Sequence, residues 1–184
     1  MGRQGVLLYG PPAAGKDTVT AALAALDPRY VPFARLKIGS GRTRGYRMGT
    51  PEQLKEMEAL GQVLYRNDRY GNTYVVDQLG LRDATADGQV PLIHLGQIVG
   101  LQTVADGFPA RWWRVLLWCP REITEQRSAA RGDGDTPARL EAWDATERDL
   151  AEQPGAVWDL TVHTALVSPQ EAAAQIHALV SARG

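Results

Sequence analysis

One stretch constrains this chain more than any other: Gly10-Pro11-Pro12-Ala13-Ala14-Gly15-Lys16-Asp17-Thr18. It follows a short apolar run, Val6 to Tyr9, and precedes a segment in which Val19, Leu23 and Leu26 recur at helical spacing. Strand, glycine loop and helix form the setting in which G-x-x-x-x-G-K cradles phosphate. The glycines let backbone N–H groups turn inward, and the helix presents its positive end to the same anion. Lys16 is placed to bridge the outer phosphates and carry transferred charge. Asp17 stands where Ser or Thr usually ligates magnesium, and Thr18 comes one residue late. The expected ligands are ATP, along Gly10 to Thr18, and Mg2+, with Asp17 as a metal-site residue that replaces the usual hydroxyl.

The rest of the composition narrows the surroundings. The length suits a single domain, 1–184. A net charge of −1 offers no bulk attraction for nucleic acid or an anionic membrane, and neither partner is expected. Cys119 is the single cysteine, which excludes an internal disulfide and fits a reducing compartment. No apolar run reaches membrane-spanning length, and the first residues lack a signal pattern. A cytoplasmic monomer or homodimer is the expectation.

Downstream, strand and helix patterns alternate. Tyr30 to Leu36 reads as a second strand weakened by Pro32, and Lys37 to Gly49 as a basic loop. Thr50-Pro51-Glu52 opens a helix that Gly61 stops. Gln62 to Arg66 and Tyr74 to Asp77 form a small β excursion, followed by a helix to about Thr85. Val90 to Leu95 and Trp112 to Trp118 read as buried strands, each followed by a helix. A loop over 131–137, a long helix from about Pro137 to Glu152, a strand over Ala156 to Val162 and a helix from Pro169 complete the chain. Such alternation implies an α/β fold: a parallel sheet with helices on both faces and right-handed crossovers.

Three further segments carry chemistry. Ser40-x-x-x-Arg44-x-x-Arg47 is a basic segment beside the phosphate loop, suited to clamp an acceptor phosphate through Arg forks. Gly71-Asn72-Thr73-Tyr74 lies in the β excursion, and Ala130-Arg131-Gly132 with Arg139-Leu140 brackets the later loop. In this order the motifs resemble those of guanylate-kinase-like P-loop kinases over most of the chain. The resemblance implies a three-layer P-loop NTPase fold with a small β acceptor-binding insert at about 37–76 and a lid at about 131–139. It also implies that Ser40, Arg44, Arg47 and Tyr74 bind the acceptor, and that Arg131 and Arg139 join Lys16 as catalytic groups at the transferred phosphoryl.

The departures concern the base. Where that family reads guanine with an acid, this chain has Tyr65; a following hydroxyl becomes Val76; and the acids ending the third strand become His94-Leu95-Gly96. A site that loses its hydrogen-bonding groups loses the selectivity they supplied, so GMP is not the expected acceptor. Tyr65 and His94 then line an altered acceptor site, with His94 available as a base if a hydroxyl attacks. G-K-D followed by a hydroxyl also resembles ribose 1,5-bisphosphate kinase. The expectation is an ATP-dependent phosphotransferase acting on a phosphorylated small molecule, either a nucleoside monophosphate or a sugar phosphate. The alternatives are a kinase of the ribose 1,5-bisphosphate or specialised-metabolite type, or a non-catalytic guanylate-kinase-like binding domain.

Overall fold

The computed structural model describes residues 2–69, 71–130 and 136–182. Arg131, expected in the lid, lies outside them. A main sheet is built from β1 (Gln4–Tyr9), β2 (Tyr30–Pro32), β7 (Val90–His94), β8 (Arg111–Trp118) and β9 (Leu160–His163). These five strands run parallel in the order β2-β7-β1-β8-β9. A second, four-stranded sheet comprises β3 (Arg35–Ile38), β4 (Tyr46–Met48), β5 (Val63–Arg69) and β6 (Asn72–Asp77), in the order β4-β3-β6-β5.

The parity of β1 explains the layers. Val6 and Leu8 face one side, where they pack with Val19 and Leu23 of α1 (Lys16–Leu26) and Ile176 and Val180 of α7 (Pro169–Ser181). Leu7 and Tyr9 face the other, against Ile98, Leu101 and Val104 of α4 (Ile98–Gly107) and Leu81 of α3 (Gln78–Ala84). A strand covered on both faces has no polar side, which is why Val6 to Tyr9 carries no alternation. Trp113 packs in the first layer and Trp112 against the second. The small sheet has a core of its own: Leu36 and Val75 pack on Leu54 and Met57 of α2 (Pro51–Ala59). Two helices, α5 (Arg121–Ala130) and α6 (Thr136–Glu152), follow β8.

Helix ends follow their local chemistry. Thr50 caps α2 by accepting from Gln53 N at 3.2 Å, with Pro51 in the first turn. Ser168 and Glu171 close a reciprocal capping box at the start of α7.

The expected strand over Tyr30 to Leu36 is two strands in different sheets. Phe33 N still donates to Leu92 O at 3.0 Å, but Pro32 has no N–H to offer, and the chain leaves the main sheet after it. The basic segment is likewise less of a loop than its composition implies: β3 extends through Ile38, and β4 lies inside the segment. The final strand is shorter than Ala156 to Val162, beginning at Leu160. No helix among the described residues is long and apolar enough to cross a membrane.

Candidate active site

The motif after β1 adopts its shape for steric reasons. Gly10 has φ 146°, and a Cβ there would lie 2.0 Å from Leu117 O on the neighbouring strand. Gly15 has φ 84° and caps α1 in the left-handed region. Only glycine takes both positions without strain. Lys16 then folds back over the loop, donating to Gly10 O at 2.6 Å and Pro11 O at 2.8 Å. Burial lowers its pKa to about 8, the neighbouring Asp17 opposing the shift, so the ammonium remains mostly charged at neutral pH. From behind, α5 braces the loop: Thr124 Oγ1 donates to Pro12 O at 3.0 Å and Arg127 Nη1 to Ala13 O at 2.9 Å.

In front of the loop lies a cleft of about 1350 Å³. The phosphate loop forms its floor. Arg35, Tyr46, Asn67, Arg69 and Tyr74 of the small sheet form one wall, and α6 forms another with Arg139, Arg148, Asp149 and Glu152. His94, Leu95, Gly96 and Gln97 complete the lining beyond the carboxyl end of β7. This is the edge of a parallel sheet at which α/β folds bind ligands. On the small-sheet wall, the Arg35 guanidinium lies 5.1 Å from the Tyr74 ring centre and 5.9 Å from that of Tyr46, a cation packed over two rings whose centres are themselves 5.4 Å apart.

Buried hydrogen bonds fix α6 over the cleft. Tyr9 Oη and Ile98 N both donate to Asp149 Oδ2 at 2.8 Å, and Trp143 Nε1 donates to Cys119 O at 3.0 Å. Burial, with the Asp149 carboxylate alongside, raises the Tyr9 hydroxyl far above the ordinary phenol value, so it serves only as a donor.

His94 sits where β7 meets α1. Its Nε2 is 2.8 Å from Thr20 Oγ1, and its Nδ1 is 3.5 Å from Asp17 Oδ1. Burial, then the Lys16 cation, lower its pKa to about 4 against the pull of Asp17, leaving a neutral imidazole at pH 7. Asp17 itself is 88% exposed.

A second cavity, about 370 Å³, lies on the far side of the phosphate loop. Its walls include Val19, Arg127, Ala130, Thr164, Val167 and Pro169. Arg127 closes it by donating to Thr164 O at 2.6 Å. Ala13, Gly15 and Thr18 line both cavities, so the loop is the partition between them.

The sequence-derived residues separate into groups. Gly10, Pro12, Ala13, Gly15 to Thr18, Tyr74, His94 and Arg139 line the cleft together; Pro11 lends its carbonyl to Lys16, and Ala14 is buried beneath the loop. Ser40, Arg44, Arg47 and Tyr65 are not among the lining residues. Ser40 and Arg44 are exposed in the β3–β4 connection, which the buried Lys37 organises by donating to Ser40 O at 2.6 Å and Arg42 O at 2.9 Å. Arg47 pairs with the fully buried Asp77 and donates through Nε to Ala34 O at 2.9 Å. Tyr65 bonds Gln97 Oε1 at 2.5 Å and lays its ring on Gly100, where a Cβ would fall 2.8 Å from the ring carbon Cζ.

Arg35 and Tyr46 are among the cleft residues that the sequence alone did not single out, as are Arg148 and Asp149 of α6. For Arg35 and Tyr46 the signal was position: Arg35 opens a strand that the sequence merges with β2, and Tyr46 opens a short strand in a segment whose Gly and Arg content reads as loop. Arg127 and Thr164 were equally silent, lying far apart in sequence and meeting only behind the phosphate loop.

No family model and no curated protein matches the chain. Solved structures do. Guanylate kinase from Anaplasma phagocytophilum matches with a TM-score of 0.65 at 14% identity, over 100% of this chain and 87% of its own. Shikimate kinase from Acinetobacter baumannii, in complex with shikimate, matches with a TM-score of 0.53 at 16% identity, over 98% of this chain and 94% of its own. At these identities the likeness establishes the fold, and that fold is the guanylate-kinase-like P-loop kinase fold.

Proposed function

We propose that the chain is an ATP-dependent phosphotransferase that moves the γ-phosphoryl of ATP to a small phosphorylated acceptor. One observation carries this reading: a phosphate-binding loop stands as the shared wall of two cavities of different chemistry. The smaller, largely apolar one suits a nucleobase, and the larger, charge-lined one suits phosphates and an anionic acceptor. Both structural neighbours are kinases, which supports phosphoryl transfer in general.

The adenine would sit by Arg127, Val167 and Pro169, and the triphosphate would run over Gly10 to Thr18 toward Lys16. On the opposite side, Arg35 with Tyr46 and Tyr74 would hold the acceptor phosphate. The acceptor oxygen attacks the γ-phosphorus as the bond to the β,γ-bridging oxygen breaks, and the bonding electrons leave with ADP. Lys16 stabilises charge on the transferring group, and Arg139, on a helix anchored by Asp149, faces the same cleft. An attacking phosphate oxygen is already anionic and needs no base, so the acceptor side requires positioning more than proton transfer.

The residues present fit a divalent cation: Asp17 offers an exposed carboxylate beside the loop. Asp17 would hold such an ion beside the loop, and the ion would supply positive charge against the charge that builds up during transfer. The closed contact of Tyr65 with Gln97 and Gly100 disfavours GMP, because it occupies positions at which a guanine-reading site needs hydrogen-bonding groups facing the ligand.

The test is a panel of nucleoside monophosphates and sugar phosphates offered with ATP, with ADP release as the readout and calorimetry for ATP binding. Acceptor-dependent ADP release that is lost in Lys16→Ala is the expected result. Absence of ATP binding would overturn the reading.

A further inference from the structure

We infer that Asp17 and His94 form a mixed oxygen–nitrogen metal site that takes a divalent transition ion of the Mn2+ kind in preference to Mg2+. The inference rests on the phosphotransferase reading, since nucleotide phosphates and water would complete the coordination shell. Among the described residues no group of three or more metal-ligating side chains exists, so the protein alone supplies only a partial shell.

Geometry supports the pair. Two donors about 2.1 Å from one ion can stand no more than about 4.2 Å apart. Nδ1 of His94 and Oδ1 of Asp17 stand 3.5 Å apart, and they come from different elements, β7 and α1, that the core holds together. Both residues line the cleft next to Lys16, where the outer phosphates would lie.

The other ring nitrogen of His94 completes the geometry. Nε2 is held 2.8 Å from the hydroxyl of Thr20, a nearly buried residue one turn along α1 from Lys16. A histidine ligand typically donates its second N–H to a fixed acceptor, which selects the tautomer and aims the other nitrogen at the ion. With Nε2–H donating to Thr20 Oγ1, the lone pair is on Nδ1, the atom that faces Asp17.

Selectivity follows from donor type. Mg2+ is bound almost wholly by oxygen and dehydrates reluctantly. Imidazole suits first-row transition ions such as Fe2+ and Zn2+ best; Mn2+, which otherwise shares the oxygen ligands of Mg2+, is the softer and more readily dehydrated of the two and accepts a nitrogen donor where Mg2+ resists one. A site that trades one oxygen for an imidazole nitrogen therefore shifts the balance away from Mg2+.

The experiment uses the whole chain with ADP and Mn2+. Pulsed electron paramagnetic resonance on the Mn2+–ADP complex reads nitrogen coordination directly. The expected result is hyperfine coupling from one imidazole nitrogen, absent in His94→Asn, which places an amide oxygen near the position of Nδ1. Competition with Mg2+ should show the preference for Mn2+ falling at least about ten-fold in that variant. Bound Mn2+–ADP with no nitrogen coupling in the unaltered protein overturns the site while leaving the phosphotransferase reading intact. Failure of ADP to bind at all, measured by calorimetry, overturns the phosphotransferase reading and this inference with it. Labelling the histidines of the unaltered protein with 15N separates an imidazole coupling from one of the adenine ring, so a substitution that fails to fold leaves the test intact.

Discussion

Arg47 offers a sharp test, because a clamp and a strut predict different measurements. As an acceptor clamp, its loss would raise the acceptor KM and leave the fold alone. In the structure it is a strut. Asp77 is 0% exposed and accepts from Gly80 N at 2.8 Å, capping α3, and from the Arg47 guanidinium. Arg47 also donates to Ala34 O, in the link between the two sheets. Arg47→Ala leaves a buried carboxylate with one backbone donor. Removing one partner of a fully buried pair costs about 3–5 kcal/mol. The Arg47 side chain is 40% exposed, so water can enter the space it leaves, and we reduce the expected cost to about 2 kcal/mol. For a chain of this size, that corresponds to a fall in Tm of about 4–8 °C. Thermal unfolding of the ligand-free protein measures it. Arg44→Ala, at an exposed position, is the control and should shift Tm by no more than about 2 °C. Arg47→Met combined with Asp77→Asn should recover much of the loss, since Asn caps a helix as well as Asp and no buried charge remains. An Arg47→Ala protein that melts with the control, but shows a raised acceptor KM, refutes the strut and restores the clamp.

Arg35→Ala should raise the acceptor KM by about 10- to 100-fold while the ATP KM changes far less, since it deletes charge-assisted bonds on one side of the cleft only; steady-state kinetics with each substrate varied in turn checks this. Lys16→Ala should reduce turnover at least about 100-fold with a Tm change of no more than about 4 °C, measured by ADP release and thermal unfolding together. GMP should rank among the poor acceptors of a nucleotide and sugar phosphate panel, and a rank of first would show that Tyr65 and its neighbours do not exclude guanine.

The fold was legible because its signals are local. The apolar run Val6 to Tyr9, the glycine loop, the Thr50 cap and the alternation of strand and helix patterns each specify an element without reference to distant residues. The shape of the glycine loop was legible for the same reason: it depends on contiguous residues whose backbone geometry glycine permits. The cavity behind the loop was not, because Arg127 and Thr164 meet only in the folded chain, through hydrogen bonds between α5 and the residue after β9.

The acceptor wall shows how one unrecognised strand changes the assignment of a site. Composition made Lys37 to Gly49 a loop, and in a loop every arginine is equally eligible to hold phosphate. In a strand, parity decides. Register pairs Arg35 with Tyr46 and Lys37 with Tyr74, which puts Arg35, Tyr46 and Tyr74 on one face of the small sheet, the face that lines the cleft. The same register pairs Leu36 with both Arg47 and Val75, so Arg47 emerges on the opposite face, where Leu36 and Val75 pack on α2 and Asp77 waits two strands along, on β6. Side chains alternate with a period of two, so a slip of one residue would exchange the clamp and the strut. The residue types that suit phosphate were visible in the sequence, but which of them reaches the cleft depends on the pairing of β3 with β4. That pairing is held by Gly49 N donating to Lys37 O at 2.9 Å and by the buried Lys37 ammonium gathering the turn between the strands. Lys37, a charged residue spent inside the small sheet, thus acts on the cleft without lining it, by fixing which face of β4 turns toward it.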